Sequence, residues 1–274
     1  MAEAASRAAA FVNVLRRELR AAWRGALGWW LPSALLLAMT LSMQPEMAKR
    51  GSLFEEKMEM MPKAVLIAFG ISAKNLTDPV FYLAINFTLI QLLGAVFAGL
   101  LGAAALAREE AFGTSELLYV TPAPRRTIAL GKIAAALLLV ALFDAGLLAT
   151  TLASYAAIGA SVERVGTVVT LFASTAALHA AAFGLGLLAT VRLTRPRGAT
   201  SLALGVVFGL YGLGVVGALD PRLASLRSLS PFHYAEPLQI VEGGGADGGL
   251  VLVAIVAATI VGALALFERK DIHA

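Results

Sequence analysis

The chain has no cysteine among its 274 residues and only three histidines. The lack of cysteine excludes a disulfide framework and any thiolate metal site. The histidines at 179, 233 and 273 lie far apart, and no HExxH or GxSxG spacing accompanies them. The sequence therefore predicts no catalytic residue and no metal ligand.

Charged residues are also scarce, at 15% of the chain against about 25% in a typical soluble domain. Hydrophobic residues make up 59%, and the mean hydropathy is +0.79. This balance indicates a membrane protein. No separate soluble domain or internal repeat interrupts it, so we expect residues 1–274 to form a single transmembrane domain.

A nucleotide-binding loop is absent as well. Gly131 and Lys132 are followed by Ile133, whereas a phosphate loop requires Ser or Thr at that position. We therefore expect no cofactor on this chain. A membrane protein of this kind that moves a solute must use a gradient or the ATPase activity of another chain.

The sequence does contain six long apolar runs, and a helix of about 20 apolar residues crosses a hydrocarbon core. We predict an all-α integral membrane protein with six spans. Their approximate bounds are 26–43, 81–107, 128–158, 167–191, 200–219 and 250–267.

Residues 7–24 show the pattern of an amphipathic helix. Apolar residues such as Phe11 and Leu15 share one side, and Arg16, Arg20 and Arg24 share the other, whereas Glu18 does not fit the pattern. An arginine-faced helix of this type lies in the headgroup plane of an anionic leaflet, which makes membrane lipid a partner. The alternative is a soluble surface helix.

The distribution of basic residues predicts the orientation. Six spans place both termini on one side, which holds fourteen Lys and Arg residues, whereas the other side holds eight. By the positive-inside rule, the first side is cytosolic. We expect a multi-pass protein of the plasma membrane with both termini in the cytosol.

The most polar connection runs from Arg108 to Lys132, between spans two and three. Gly113 and Thr114 mark a break, after which Thr114 can cap a short helix that Pro122 ends. Such a helix at the membrane surface is typical of a docking element for a cytosolic partner. The alternative is a solvated connector. The candidate docking residues are Glu109, Glu110, Gly113, Thr114, Glu116, Leu117, Leu118, Arg125 and Arg126.

Four polar residues fall inside the predicted spans. Asp144 and His179 lie near the middle of two antiparallel spans, so they can form a pair at one depth. A functional interpretation is a proton relay or a substrate contact. A structural interpretation is a hydrogen bond between helices, and it applies equally to Asn86 and Gln91.

Span five contains Gly205 and Gly209 at GxxxG spacing, which permits two helix backbones to approach closely. Either a dimer seam or packing within one chain accounts for it.

The 108–132 connection resembles that of the permease subunits of ABC-2 type transporters. The matching order of residues is REExxGTxExLLxxPxxRRxxxxGK. The resemblance extends over nearly the whole chain, since the N-terminal amphipathic helix and the Ser230-Pro231-Phe232 motif before span six also fit.

This resemblance implies a function. Permeases of this family pair as dimers, usually through spans one and five, and each engages a separate ATPase subunit through a coupling helix after span two. Two ATPase copies would then hold ATP and Mg²⁺. The connection after span four, with Arg192, Arg195 and Arg197, would make a lesser contact. No nucleic-acid partner is expected.

We therefore predict the permease of an ABC exporter of drugs, peptides, lipids or ions, most simply as a homodimer. One alternative is a gradient-driven carrier that uses Asp144 and His179. Another is a membrane scaffold that docks an ATPase without moving a solute.

Overall fold

The computed structural model describes residues 2–50, 60–69, 76–111, 124–160, 164–193, 196–244 and 246–269. Every regular element in these ranges is helical. The α-helices in chain order are α1 (Ala2–Ser42), α2 (Gln44–Lys49), α3 (Lys63–Phe69), α4 (Pro79–Ala111), α5 (Arg125–Ala157), α6 (Val165–Thr190), α7 (Pro196–Leu219), α8 (Ala224–Arg227), α9 (Pro237–Val241) and α10 (Ala246–Glu268).

The prediction of an all-helical protein with six spans is confirmed. Six of the described helices are long and apolar enough to cross a membrane, namely α1, α4, α5, α6, α7 and α10. We call the side of the bundle with the start of α1 and the end of α10 the terminal side. The end of α4, the start of α5, the end of α6 and the start of α7 also lie there, because successive spans alternate in direction.

Short helices and turns occupy the opposite side. They include α2, α3, α8 and α9, together with two 3₁₀ turns at Pro221–Leu223 and Pro231–Ala235. The side chain of Gln44, at the start of α2, donates hydrogen bonds to the carbonyls of Leu76 and Thr77 just before α4. The carbonyl of Ala68 in α3 accepts a hydrogen bond from the Tyr211 hydroxyl of α7.

Helices α4 and α6 form the centre of the bundle, and glycines let their backbones touch. A methyl group built on Gly102 of α4 would lie 2.2 Å from the carbonyl oxygen of Phe183. One built on Gly186 of α6 would lie 2.4 Å from the carbonyl oxygen of Gly99. Small residues permit this approach in a membrane, where close packing holds helices together.

Helix α1 is continuous from Ala2 to Ser42, although the sequence suggested an amphipathic helix at 7–24 followed by a span from 26. Its first half packs against the start of α5, where Gly131 lies close to Val14. Gly25 does not interrupt the helix, and nothing lies within 4 Å of a methyl group built on it. The interfacial placement of residues 7–24 stays a prediction.

Burial is uneven across the bundle. In the most apolar windows of α4 and α6, 61% of the residues are buried, whereas the figure is 17% for α7 and 22% for α1 and α10. The chain therefore leaves long apolar helix faces open, and a membrane or another protein must cover them.

The close approach of α4 and α6 gives a first prediction. Gly186→Ala places a methyl group 2.4 Å from a backbone oxygen that cannot turn aside, so the helices must separate. We expect destabilisation by about 1–3 kcal/mol, as for other overpacked cores. Thermal unfolding in detergent, followed by intrinsic fluorescence, measures it. Gly166→Ala in the same helix, where nothing lies within 4 Å, is the control; equal melting temperatures would contradict the packing argument.

Candidate functional site at the centre of the bundle

A buried polar network joins the three central helices α4, α5 and α6. Asp144 of α5 and His179 of α6 are brought together, with Oδ1 and Nδ1 2.7 Å apart. Both residues are buried, with 4% and 0% of their surface exposed. An isolated carboxylate at mid-membrane costs about 2.5–3.5 kcal/mol on insertion scales, so this contact offsets a cost that Asp144 alone would carry.

The second ring nitrogen of His179 fixes the proton content of the pair. Nε2 lies 3.0 Å from the carbonyl oxygen of Gln91. A carbonyl only accepts, so Nε2 carries a proton. Nδ1 and Asp144 Oδ1 must then share one further proton, since two bare acceptors would repel each other at 2.7 Å. Whichever atom holds that proton, the pair has no net charge.

The Gln91 side chain extends the network toward the opposite side. Its amide nitrogen donates to the Thr175 hydroxyl of α6 at 2.9 Å and to the Ala235 carbonyl at 2.8 Å. Ala235 ends the 3₁₀ turn before α9. Gln91 therefore links the interior pair to the turn that contains the Ser-Pro-Phe motif. Asn86, by contrast, donates to the Tyr82 carbonyl of its own helix.

A notch in α4 accommodates the imidazole. A methyl group on Gly94 would lie 2.1 Å from Cε1 of His179, so the ring occupies the space that a larger residue would need. Phe143 packs edge-on to the ring from α5, with centroids 6.1 Å apart. The role of Gly94 could not be predicted from the sequence, because a lone glycine in an apolar run does not show which side chain it faces.

The predicted docking residues lie partly outside the described residues. Gly113, Thr114, Glu116, Leu117 and Leu118 fall in 112–123, and nothing is described of their structure. Glu109 and Glu110 belong to the last helical turn of α4. Arg125 and Arg126 begin α5, and these two side chains are exposed on the terminal side.

Other basic residues occupy the same side of the bundle. Arg126 lies 3.7 Å from Glu268 at the end of α10, in an exposed ion pair. Arg192 follows α6 and Arg197 lies in the first turn of α7, both exposed, whereas Arg195 falls outside the described residues. The described helix ends on the terminal side thus present exposed basic side chains.

Lys132 and Glu18 form an ion pair between α5 and α1 that was not predicted from the sequence. The sequence placed Lys132 at the end of the charged connection. The structure places it about two turns inside α5, with 5% of its surface exposed. Its Nζ lies 3.9 Å from the Glu18 carboxylate of α1. The signal was present in Glu18, which stands on the apolar side of an otherwise arginine-faced helix.

Arg164 ties three elements together on the opposite side. It precedes α6, and its guanidinium lies 3.4 Å from the carboxylate of Asp78, which precedes α4. It also donates to the Val241 carbonyl at the end of α9 and lies over the ring of Phe81. The opposite side is therefore held together by side-chain contacts.

Gly205 and Gly209 lie on an open face of α7. Nothing is within 4 Å of a methyl group built on either residue. They therefore do not serve packing among the described residues of this chain, and a role in a dimer seam stays a prediction.

Residues 12–272 match the family described as ABC-2 family transporter protein. The chain belongs to the ABC-2 transporter family. No curated protein matches it. An ABC-2 permease is a membrane transport component that is not itself catalytic, and the family implies an ABC ATPase as partner. The resemblance read from the 108–132 connection is thereby confirmed.

The notch for His179 gives a second prediction. Gly94→Ala drives a methyl group into the imidazole and pulls it from Asp144 and Gln91, so we expect destabilisation by about 1–3 kcal/mol. In a His179→Ala background the same substitution should cost much less, because the space is free. A double-mutant cycle from thermal unfolding measures this coupling. Effects that add within about 0.5 kcal/mol would show that the two residues are independent.

Proposed function

We propose that this ABC-2 protein is the permease of an ATP-driven exporter in the plasma membrane, with both termini in the cytosol. The observation that carries the proposal is the family match over residues 12–272 of a chain with six candidate spans. The solute is a drug, peptide, lipid or ion. Two separate ABC ATPase subunits bind ATP and Mg²⁺ and hydrolyse the ATP, and the permease pairs with a second copy of itself.

The connection at 108–127 is the proposed coupling element. It leaves α4 after Glu109 and Glu110 and enters α5 at Arg125, so a push on it acts directly on two of the longest helices. Exposed Arg126, Arg192 and Arg197 lie on the same side of the bundle as these two helix ends. These charges support a polar docking surface for a soluble ATPase.

Helix α5 is suited to carry the motion across the membrane. Its 33 residues span about 50 Å at 1.5 Å per residue. Along this length it contacts α1 through Lys132 and Glu18, and α6 through Asp144 and His179. A displacement of its terminal end would therefore reach α1 and α6 together.

The open face of α7 supports pairing of two permeases. Gly205 and Gly209 have free space beside them, and α7 is the least buried of the candidate spans. Close approach of two such faces would cover apolar surface and glycine backbone at once. The solute path would then lie between the two copies.

A gradient-driven carrier is the second candidate, because Asp144 and His179 form a pair in the membrane interior. The pair shares one proton and is neutral as a unit, which also fits a purely structural role. Proton movement through it requires a route from water to two residues that are almost fully buried. We therefore favour the ATP-driven permease.

Coupling gives the third prediction. Glu116→Ala combined with Leu117→Ala removes a charge and an apolar contact from the docking surface, and we expect roughly tenfold weaker ATPase binding or more. Affinity co-purification from lipid nanodiscs with a co-expressed ABC ATPase from the same genome measures it. The control is Glu242→Ala with Leu229→Ala, two exposed residues on the opposite side. Equal loss in both variants, or no co-purification of the wild type, would refute the coupling role.

The two candidate functions give the fourth prediction. Asp144→Asn keeps a hydrogen bond to His179 but cannot release a proton, so we expect ATPase activity of the complex within about twofold of wild type. Proteoliposomes loaded with a pH-sensitive dye should show no proton flux above protein-free vesicles. Flux through the wild type that disappears in Asp144→Asn would establish the carrier instead.

A further inference from the structure

A polar pocket lies on the opposite side of the bundle, between α3, α4, α7 and the turn before α9. Its volume is about 90 Å³. The polar side chains that line it include Gln91, Tyr211, Arg227, His233 and Glu236. None of the last four was predicted from the sequence to have a role.

Two opposite charges stand on one wall. The Arg227 guanidinium donates to the Glu236 carboxylate, and each side chain is about one-third exposed. The wall therefore has no net charge, but it offers a cationic and an anionic group side by side. An ion of either sign that entered would be attracted by one of them and repelled by the other.

The same wall holds a buried polar atom that lacks a partner. His233 Nδ1 makes no hydrogen bond with any described residue, and it lies 3.8 Å from Glu236, which is too long for one. Buried polar atoms in folded proteins are nearly always hydrogen-bonded, so an unpartnered one calls for an explanation. His233 also lines the pocket, so a small shift of its ring would let a ligand there supply the missing partner.

Two aromatic side chains form part of the remaining wall. Tyr211 and Phe232 stack edge to face, with ring centroids 5.2 Å apart. The Tyr211 hydroxyl is engaged by the Ala68 carbonyl, so it anchors α3 over the pocket. This arrangement limits the pocket to a small molecule.

We propose that the pocket binds a small zwitterion, of the size and charge pattern of an amino acid. Its carboxylate meets Arg227 and its ammonium group meets Glu236, so each charge on the wall gains an opposite charge. A cation site is disfavoured, because the guanidinium of Arg227 stands beside the only carboxylate among the described lining residues.

Gln91 connects this pocket to the interior pair. It lines the pocket, and its own backbone carbonyl accepts from His179. A ligand that shifts Gln91 therefore acts on the contact between α4 and α6. The binding site does not depend on the proposed function, since it belongs to this chain alone.

Binding is tested on the purified full-length protein in nanodiscs, without any ATPase, by ligand-observed saturation-transfer NMR. The probes are glycine as zwitterion, acetate as anion, methylammonium as cation and glycerol as neutral polyol. We expect saturable binding of glycine alone. Glycerol or a single ion that binds as well as glycine, or a signal that does not saturate, would overturn the proposal.

Variants then test the two charges. Arg227→Gln and Glu236→Gln should each weaken glycine binding about tenfold, the effect of one lost charge-assisted hydrogen bond. Arg222→Gln, an exposed arginine outside the pocket, should leave it unchanged. The exchange Arg227→Glu with Glu236→Arg keeps the ion pair, so it should fold and retain glycine binding within about threefold. Unchanged binding in both single variants, or its loss in the folded exchange variant, would refute the assignment.

Discussion

The hydrocarbon interior offers no water to a charged group, and the centre of this protein is arranged around that constraint. Asp144 is tolerated there because His179 shares a proton with it, and the ring of His179 is held because its Nε2–H donates to the Gln91 carbonyl. The ring fits only because position 94 is glycine. A single carboxylate on α5 thus specifies side chains and backbone on both neighbouring helices.

From this centre the two sides of the bundle differ in construction. On the opposite side, Arg164, Gln44 and Tyr211 link helix ends and short helices through hydrogen bonds to backbone carbonyls. On the terminal side, the described contact between Arg126 and Glu268 is an exposed ion pair, which contributes little stability.

Much of the fold could be predicted, because membrane spans are read from length and apolarity alone. Asp144 and His179 could be paired because both lie at mid-span in antiparallel helices. The position of Glu18 on an apolar helix face signalled a buried partner, but sequence spacing does not show that α1 packs against α5, so it could not identify Lys132. Arg227, His233 and Glu236 lie in a polar loop without helical periodicity, so nothing in the sequence placed them around one pocket. The coupling residues at 113–118 stay predictions.

The contacts of Arg164 limit where residues can be inserted near the start of α6. The connection between α5 and α6 is short, and one side chain in it holds the starts of α4 and α6 and the end of α9 in place. Because Arg164 directly precedes α6, residues inserted between it and the first turn of the helix would move the guanidinium away from Asp78 and Val241 together. That junction therefore fixes the spacing between α6, α4 and α9, and it tolerates an inserted residue less well than a connection without such a contact.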